Sequence, residues 1–196
     1  MSSSQPSDRR QQIIEAGLAI LREEGLRGFT QPRIAARLGL RQSNITYYFP
    51  TISDLLTAVA RAAVDVQLAT AADLVANVTT PEAAAEAIAR MTTHHEVTRV
   101  LMALAQAADQ EAGVRVLFNE LTDGLAGEIR TLFDKLGVKE QLPSTDLFHA
   151  LVVGLSVIEL ATGRPGGKDR SKEVIDGVLR LLAARAPQPS KKLRGK

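Results

Sequence analysis

The sequence of 196 residues has no cysteine, no tryptophan, three histidines, two tyrosines and five phenylalanines. The lack of cysteine excludes disulfides and thiolate chemistry and fits a reducing compartment. Nowhere do apolar residues run unbroken for the ~18 positions that a membrane-spanning helix requires. The opening MSSSQPSDRR sets no apolar stretch behind its charges, so it does not read as a secretory signal. A soluble, cytoplasmic protein with no membrane partner is the expectation.

Residues suited to catalysis are equally scarce. His94 and His95 are neighbours, and neighbours on a helix diverge by about 100°, so they cannot chelate from one face. His149 falls in an apolar helix, where a hydrogen-bonded core or interface histidine is the simpler reading. The turn GRPGGK at 163–168 lacks the Ser/Thr and the glycine spacing of a phosphate-binding loop. No enzyme, no cofactor and no metal site is expected.

What the chain does have is charge of one sign at one end. Residues 1–50 hold seven arginines and four acids, whereas 51–190 hold thirteen basic and eighteen acidic groups. Four more positive charges stand in the closing KKLRGK. A basic N-terminal unit on an acidic body suits a DNA reader joined to a separate effector domain.

The stretch from Phe29 to Leu56 reads as two short helices around a tight turn, then the start of a longer one. Thr30 is an N-cap, Pro32 sits harmlessly in the first turn, and Ile34, Ala35 and Leu38 share a face. Gly39 stops this helix. Residues Gln42–Tyr48 form the second, with Ile45 and Phe49 buried. Helix, glycine turn, helix is the helix-turn-helix spacing. Its exposed positions, Arg41, Gln42, Ser43, Asn44, Thr46, Tyr47 and Tyr48, are hydrogen-bonding types without an acid. Gln42, Ser43 and Asn44 are the candidates for base edges, with Arg41 on base or phosphate. Thr30, Tyr47 and Tyr48 are expected to hold the backbone. Arg9 and Arg10, near the start of the first helix, read equally as phosphate contacts or as solvated charge.

From about Arg9 to Val64 the chain resembles the TetR family of bacterial transcriptional regulators. The motifs are IIEAGLAILREEGLRGFT, then T-x-x-x-IA-x-x-LGL, then ITYYFPTISDLL, in that order. Two positions depart from the family pattern. Ile52 stands where members usually carry a phosphate-anchoring lysine, and Thr46 where many carry an aromatic. The resemblance implies an all-α fold: an N-terminal three-helix helix-turn-helix domain and a C-terminal helical ligand-binding and dimerisation bundle. It further implies an effector cavity in the bundle, and a four-helix dimer interface made by the last two helices of each subunit.

The expected divisions are a disordered arm at 1–8, the DNA-binding domain at 9–54, the effector and dimerisation domain at 55–186 and a basic flexible tail at 187–196. Asp8 heads the first helix, whose apolar face includes Ile13, Ile14, Gly17, Ile20 and Leu21. A fourth helix from Thr51 or Ser53 carries Leu55, Leu56, Val59, Ala63 and Val66 in one stripe. Thr80-Pro81-Glu82 starts a helix near 81. Another helix runs from about 96 to 112, with a break at Gly113. Val116, Leu117, Leu121, Leu125, Ile129 and Phe133 form the next stripe, which Gly137 closes. Pro143 to Asp146 open a helix running to about Thr162, whose stretch LFHALVVGLSVIELA, of about fifteen residues, is too short to span a bilayer and apolar nearly all round. A helix apolar on all sides needs cover on all sides, so a second copy of the chain is the expected partner. Leu147, Leu151, Leu155 and Ile158 of this helix and Val174, Val178, Leu181 and Leu182 of the last are the interface candidates. Met91, His94, Met102, Gln106, Asp109, Phe118 and Asn119 are placed where mid-bundle helices could line the effector cavity.

Together these features describe a homodimeric, sequence-specific regulator that binds double-stranded DNA and answers to an unknown small-molecule effector, most simply a repressor on a palindromic operator. Two alternatives stay open: a sequence-independent, nucleoid-type DNA-binding protein, and a helical ligand-binding adaptor that does not bind DNA.

Overall fold

The computed structural model describes residues 6–138 and 144–184. Among them are α1 (Pro6–Glu24), a 3-10 turn (Leu26–Gly28), α2 (Gln31–Arg37), α3 (Gln42–Tyr48) and α4 (Ile52–Asn77). There follow α5 (Pro81–Thr92), α6 (His95–Ala108), α7 (Ala112–Lys135), α8 (Ser144–Thr162) and α9 (Gly167–Ala184), with no strand among the described residues. The expected tail at 187–196 and the opening at Pro143 lie outside them. Helix α1 begins at Pro6, inside the segment 1–8 expected to be a disordered arm.

Packing groups the chain into two compact units that are discontinuous in sequence. The first joins the residues up to Ala72 with His94–Leu125, and the second joins Asp73–Thr93 with the residues from Ala126 onward. The reader expected at 9–54 lies wholly in the first, which also takes in α6 and much of α7.

The first core follows the apolar spacing of its helices. Ile13, Ile14, Ile20 and Leu21 of α1 meet Ile34, Ile45, Phe49, Leu55 and Val59. Gly17 lets α1 and α4 approach closely, since a Cβ there would lie 2.8 Å from Val59 and 3.1 Å from Phe29. Leu104, Val114, Leu117 and Leu121 complete this core. Val66 and Val116, expected in buried stripes, are instead 58% and 65% exposed, each standing off the buried face of its helix.

Helix α6 ends at Ala108, four residues short of the expectation. The reason is local. The backbone N–H groups of Gln110 and Glu111 both turn back to the Ala107 carbonyl. Arg115 then caps the end, donating to the carbonyls of Ala108 and Asp109 at 2.8 Å each. Gly113 is thus not a break but part of α7, where it lies against the Thr57 side chain.

In the second unit Val75, Ile88, Leu132, Phe133, Phe148, Ile175 and Leu179 form the core, with Phe133 and Phe148 edge to face at 5.4 Å. Thr80 caps α5 through the Ala83 N–H as expected. Glu86 of α5 bonds Lys168 at 2.5 Å and Lys172 at 2.9 Å, tying α5 to α9. Those two bonds hold its carboxyl down at about 2, well below the ordinary carboxylate range.

Helix α8 ends at Thr162 as expected and spans nineteen residues, more than its apolar stretch of about fifteen. By length and composition alone, α4 and α8 are long and apolar enough to cross a membrane. The expectation that α8 is too short is therefore corrected. Only 17% of its apolar window is buried within the chain.

Candidate nucleic-acid interface

The local sequence explains how α3 is presented. Thr30 Oγ1 accepts from the Arg33 N–H, capping α2 with Pro32 in the first turn. Leu40 N–H returns to the Ala35 carbonyl across Gly39, whose φ of 65° is the left-handed geometry that glycine tolerates. Helix α3 is then fixed from below by Ile45, fully buried, and at its end by Phe49. Gln31 of α2 donates to the Phe49 carbonyl at 3.0 Å. The Arg10 guanidinium lies 5.0 Å from the centre of the Phe49 ring. Side chains from two other helices thus hold the C-terminal end of α3.

The outer face is open. Arg41, Gln42, Ser43, Asn44, Thr46 and Tyr47 are all exposed, Tyr47 by 81%. Tyr48 is half-buried against the core and meets Tyr47 edge to face at 5.0 Å. Not every polar group on this face is available, however. Asn44 Oδ1 accepts the Arg41 N–H at 3.2 Å, and the Thr46 hydroxyl donates to the Gln42 carbonyl at 3.2 Å. Asn44, expected on a base edge, therefore commits one lone pair of its amide oxygen, and its orientation, to the first turn of its own helix. The bidentate match to adenine needs both ends of the amide. Gln42, Ser43 and Tyr47 make no side-chain hydrogen bond within the described residues.

The N-terminal arginines are also not one pool of positive charge. Arg37 grips Glu23 through two bonds of 2.6 Å, and Arg33 pairs with Glu24. The Arg37 bonds draw the Glu23 carboxyl below its ordinary value. Arg10 and Arg41 form no ion pair with an acid within the described residues. The Arg10–Phe49 contact was missed from sequence, where nothing ties a residue in the first helix to one 39 positions later. At the start of α4, Thr51 and Asp54 bond each other's backbone and side chain, and Ser53 donates to Glu111 at 2.5 Å. Ile52 beside them is 40% exposed.

The effector-cavity candidates are not gathered around one space. His94, Met102, Gln106, Asp109 and Asn119 face solvent, while Met91 and Phe118 are partly buried. Met102 and Gln106 of α6 and Asn119 of α7 fall on outward arcs, because Val100, Ala103, Leu104 and Ala107, then Val114, Leu117 and Leu121, occupy the inward arcs. His94 and Asp109 flank α6, Met91 lies in α5, and Phe118 packs against the core. A different groove exists within the first unit, shallow and open to solvent, with a volume of about 40 Å³. Its walls are Leu18 and Arg22 of α1, Ala63, Val66 and Gln67 of α4, and Val97, Val100 and Leu101 of α6.

The eight interface candidates all keep surface open. Leu147, Ile158, Val174 and Leu181 are 58%, 55%, 40% and 66% exposed, and Leu151, Leu155, Val178 and Leu182 are partly buried. Val153, not among the candidates, joins them at 49%. Glu159 is 4% exposed and is matched by Arg170, whose guanidinium donates to it at 2.8 Å and to the Pro165 carbonyl at 2.6 Å. That pair closes the turn between α8 and α9. His149 is half-buried and its pKa is drawn down by that burial, with Asp146 opposing. Among the described residues no three His, Cys, Asp or Glu side chains are grouped to hold a metal ion.

Residues 13–59 match the family described as bacterial regulatory proteins, tetR family. A comparison with curated protein sequences gives no match. Solved structures resemble the fold over most of the chain. A transcriptional regulator from Rhodococcus sp. Rha1 superposes with a TM-score of 0.78 at 17% identity, covering 89% of this chain and 96% of its own. A protein from Saccharomonospora viridis in complex with choline gives 0.73 at 20%, with 89% and 96% covered. The multidrug binding protein EbrR complexed with proflavin gives 0.62 at 23%, with 87% and 99% covered. Such identities establish a shared all-α architecture, while the likeness to the tetR family in sequence is confined to residues 13–59. Over residues 13–59, its helix-turn-helix region, this chain is similar to the bacterial regulatory proteins of the tetR family.

Proposed function

We propose that this DNA-binding transcriptional regulator works as a homodimer that represses from a palindromic operator and is released by a small molecule. The observation that carries the DNA part is the face of α3. Gln42, Ser43 and Tyr47 stand exposed with unspent hydrogen-bonding groups, on a helix whose buried side is fixed by Ile45 and Phe49. Such a rigid, acid-free face suits the major groove, where side-chain amides and hydroxyls read base edges. Gln42 and Ser43 are the base readers in this proposal, and Arg41, Tyr47 and Tyr48 hold phosphates.

The apolar outer faces of α8 and α9 support the dimer. Burying a side chain such as Leu147, Ile158 or Leu181 is worth ~1.5–3 kcal/mol each, so a second copy offers a large gain. A two-fold pair also places two α3 helices on successive turns of a palindrome. For the effector, the support is analogy: choline and proflavin are bound by proteins of this fold.

One observation favours a second reading. With Asn44 and Thr46 bonded locally, fewer groups remain to discriminate bases, which is what a sequence-independent DNA binder would need. Selection of the full chain from a random duplex pool, repeated across salt concentrations, separates the two. A palindromic consensus that survives moderate salt supports the regulator. No consensus, with affinity collapsing as salt rises, supports phosphate attraction alone.

A further inference from the structure

The groove of α1, α4 and α6 has six apolar side chains on its walls and two polar ones, Arg22 and Gln67. Both polar side chains are half-buried, and neither has a hydrogen-bond or ion-pair partner within the described residues. The sequence neighbours of Arg22, Glu23 and Glu24, and Asp65 of α4, are paired elsewhere. Glu23 is held by Arg37, Glu24 by Arg33, and Asp65 by Arg61. A half-buried lysine could lose its proton, but a guanidinium stays charged. A fixed positive charge beside an apolar wall, with an unspent amide next to it, is complementary to one chemistry: an anion joined to a hydrocarbon.

We propose that this groove binds a carboxylate with a short unbranched apolar tail, its head on Arg22 and Gln67 and its tail along Leu18, Val66, Val97 and Leu101. The planar guanidinium and the Gln67 amide together offer a carboxylate donors for both oxygens. Val66, 58% exposed, gains cover when the tail is in place. The site consists of helices that also build the DNA reader. Helix α1 carries Arg10, which covers Phe49 at the end of α3, and α4 begins directly after it. A ligand that prefers one spacing of α1, α4 and α6 changes DNA affinity by the same factor by which DNA changes the ligand's. This last step rests on the regulator reading. The binding itself does not.

The test is calorimetric titration of the full chain, without DNA, using octanoate, octanol and octylammonium. Octanoate is expected to bind saturably, octanol at least about tenfold more weakly, for want of the charge-assisted bond, and octylammonium not at all. Arg22→Gln should weaken octanoate by a similar factor. Val66→Trp, at an exposed position, should block it by filling the groove, while Arg99→Gln on the outer face of α6 should change nothing. If Arg22→Gln loses its helical circular dichroism, Val66→Trp still decides. Octanoate binding that is absent, matched by octanol, or untouched by both groove variants would overturn the proposal. The DNA selection described above is run without octanoate, so failure of the regulator reading and failure of this site are seen separately. If both hold, octanoate should shift the affinity for the selected DNA in wild type but not in Val66→Trp.

Discussion

Helices α3 and α8 both turn a broad face to solvent, and they do so with opposite chemistry. Helix α3 has seven residues, one of them buried, and its outer face is amides, hydroxyls and a guanidinium. Helix α8 has nineteen, and its outer face is Leu147, Val153 and Ile158. A polar face loses little by standing in water, so α3 is stable as it is, held by the core beneath it. The apolar face of α8 leaves favourable burial unrealised. In the proposed reading these are two kinds of recognition surface. One waits for a hydrogen-bonding partner and pays nothing meanwhile, and the other is complete only when covered.

The largest effect is expected where that cover is removed. Ile158→Glu places a charge on the bare face of α8, away from the chain's own core, so the helices should persist while association fails. Sedimentation should then give a monomer, and DNA affinity should drop by ~10²–10⁴-fold as two linked half-sites become one. An unaltered dimer would mean that a different surface pairs the subunits, and the contrast between the faces would lose its meaning.

Next in size is a substitution on α3 itself. Gln42→Ala is expected to cost ~1–3 kcal/mol on selected DNA and almost nothing on scrambled DNA, as for loss of a base contact. Asn44→Ala sharpens the comparison. Its amide caps α3, so its loss should cost ~0.5–2 kcal/mol of helix stability and lower affinity for all sequences together. Relaxed base preference in Asn44→Ala, measured by repeating the selection, would restore Asn44 to the base edge.

Smaller again is the effect of Arg10. A cation over an aromatic face is worth ~0.5–1 kcal/mol at an exposed site, so Arg10→Ala should weaken DNA binding only a few-fold. The decisive readout is the salt dependence. If Arg10 acts by steadying Phe49 and the end of α3, the slope of log affinity against log salt stays the same, and Arg10→Lys partly restores binding. Loss of about 0.9 from the slope would instead make Arg10 a phosphate contact.

How much of this was legible in the sequence differs between the two regions. The reader was legible almost to the residue, because its signals are local: Thr30 and Pro32 open α2, Gly39 ends it, and Ile45 and Phe49 mark the buried side. What was missed there involves partners far apart in sequence or polar groups that choose between a partner molecule and their own backbone. Asn44 is such a group, and so is Arg10. In the second half, helix periodicity gave the elements but not the arcs. Val116 lies next to Leu117, and only packing decides which of two neighbouring apolar residues turns inward. The same limit applies to the effector candidates, of which His94, Met102, Gln106, Asp109 and Asn119 face solvent. Mid-bundle position in sequence says nothing of which face a residue takes, and Arg22 and Gln67, 45 positions apart, carry no shared pattern.

The smallest effect concerns what keeps the second unit's apolar face in shape. Glu86 receives Lys168 and Lys172, so α5 grips the start of α9 through one carboxylate. Its carboxyl is held at about 2, below its unfolded value, so the folded state binds fewer protons than the unfolded state between them. Stability from Glu86 is therefore complete above the ordinary glutamate range and lost as pH falls towards 2. Glu86→Gln should melt below wild type at neutral pH, and the gap should close as pH approaches 2, where the native carboxyl is itself neutral. Exposed pairs contribute little, and salt should narrow the neutral-pH gap further. A gap that persists in acid would mean that the side chain matters by its packing and not by its charge. Helices α8 and α9 would then owe their arrangement to Phe148, Ile175 and Leu179 and to the Glu159–Arg170 pair, with the lysines as solvated charge beside them.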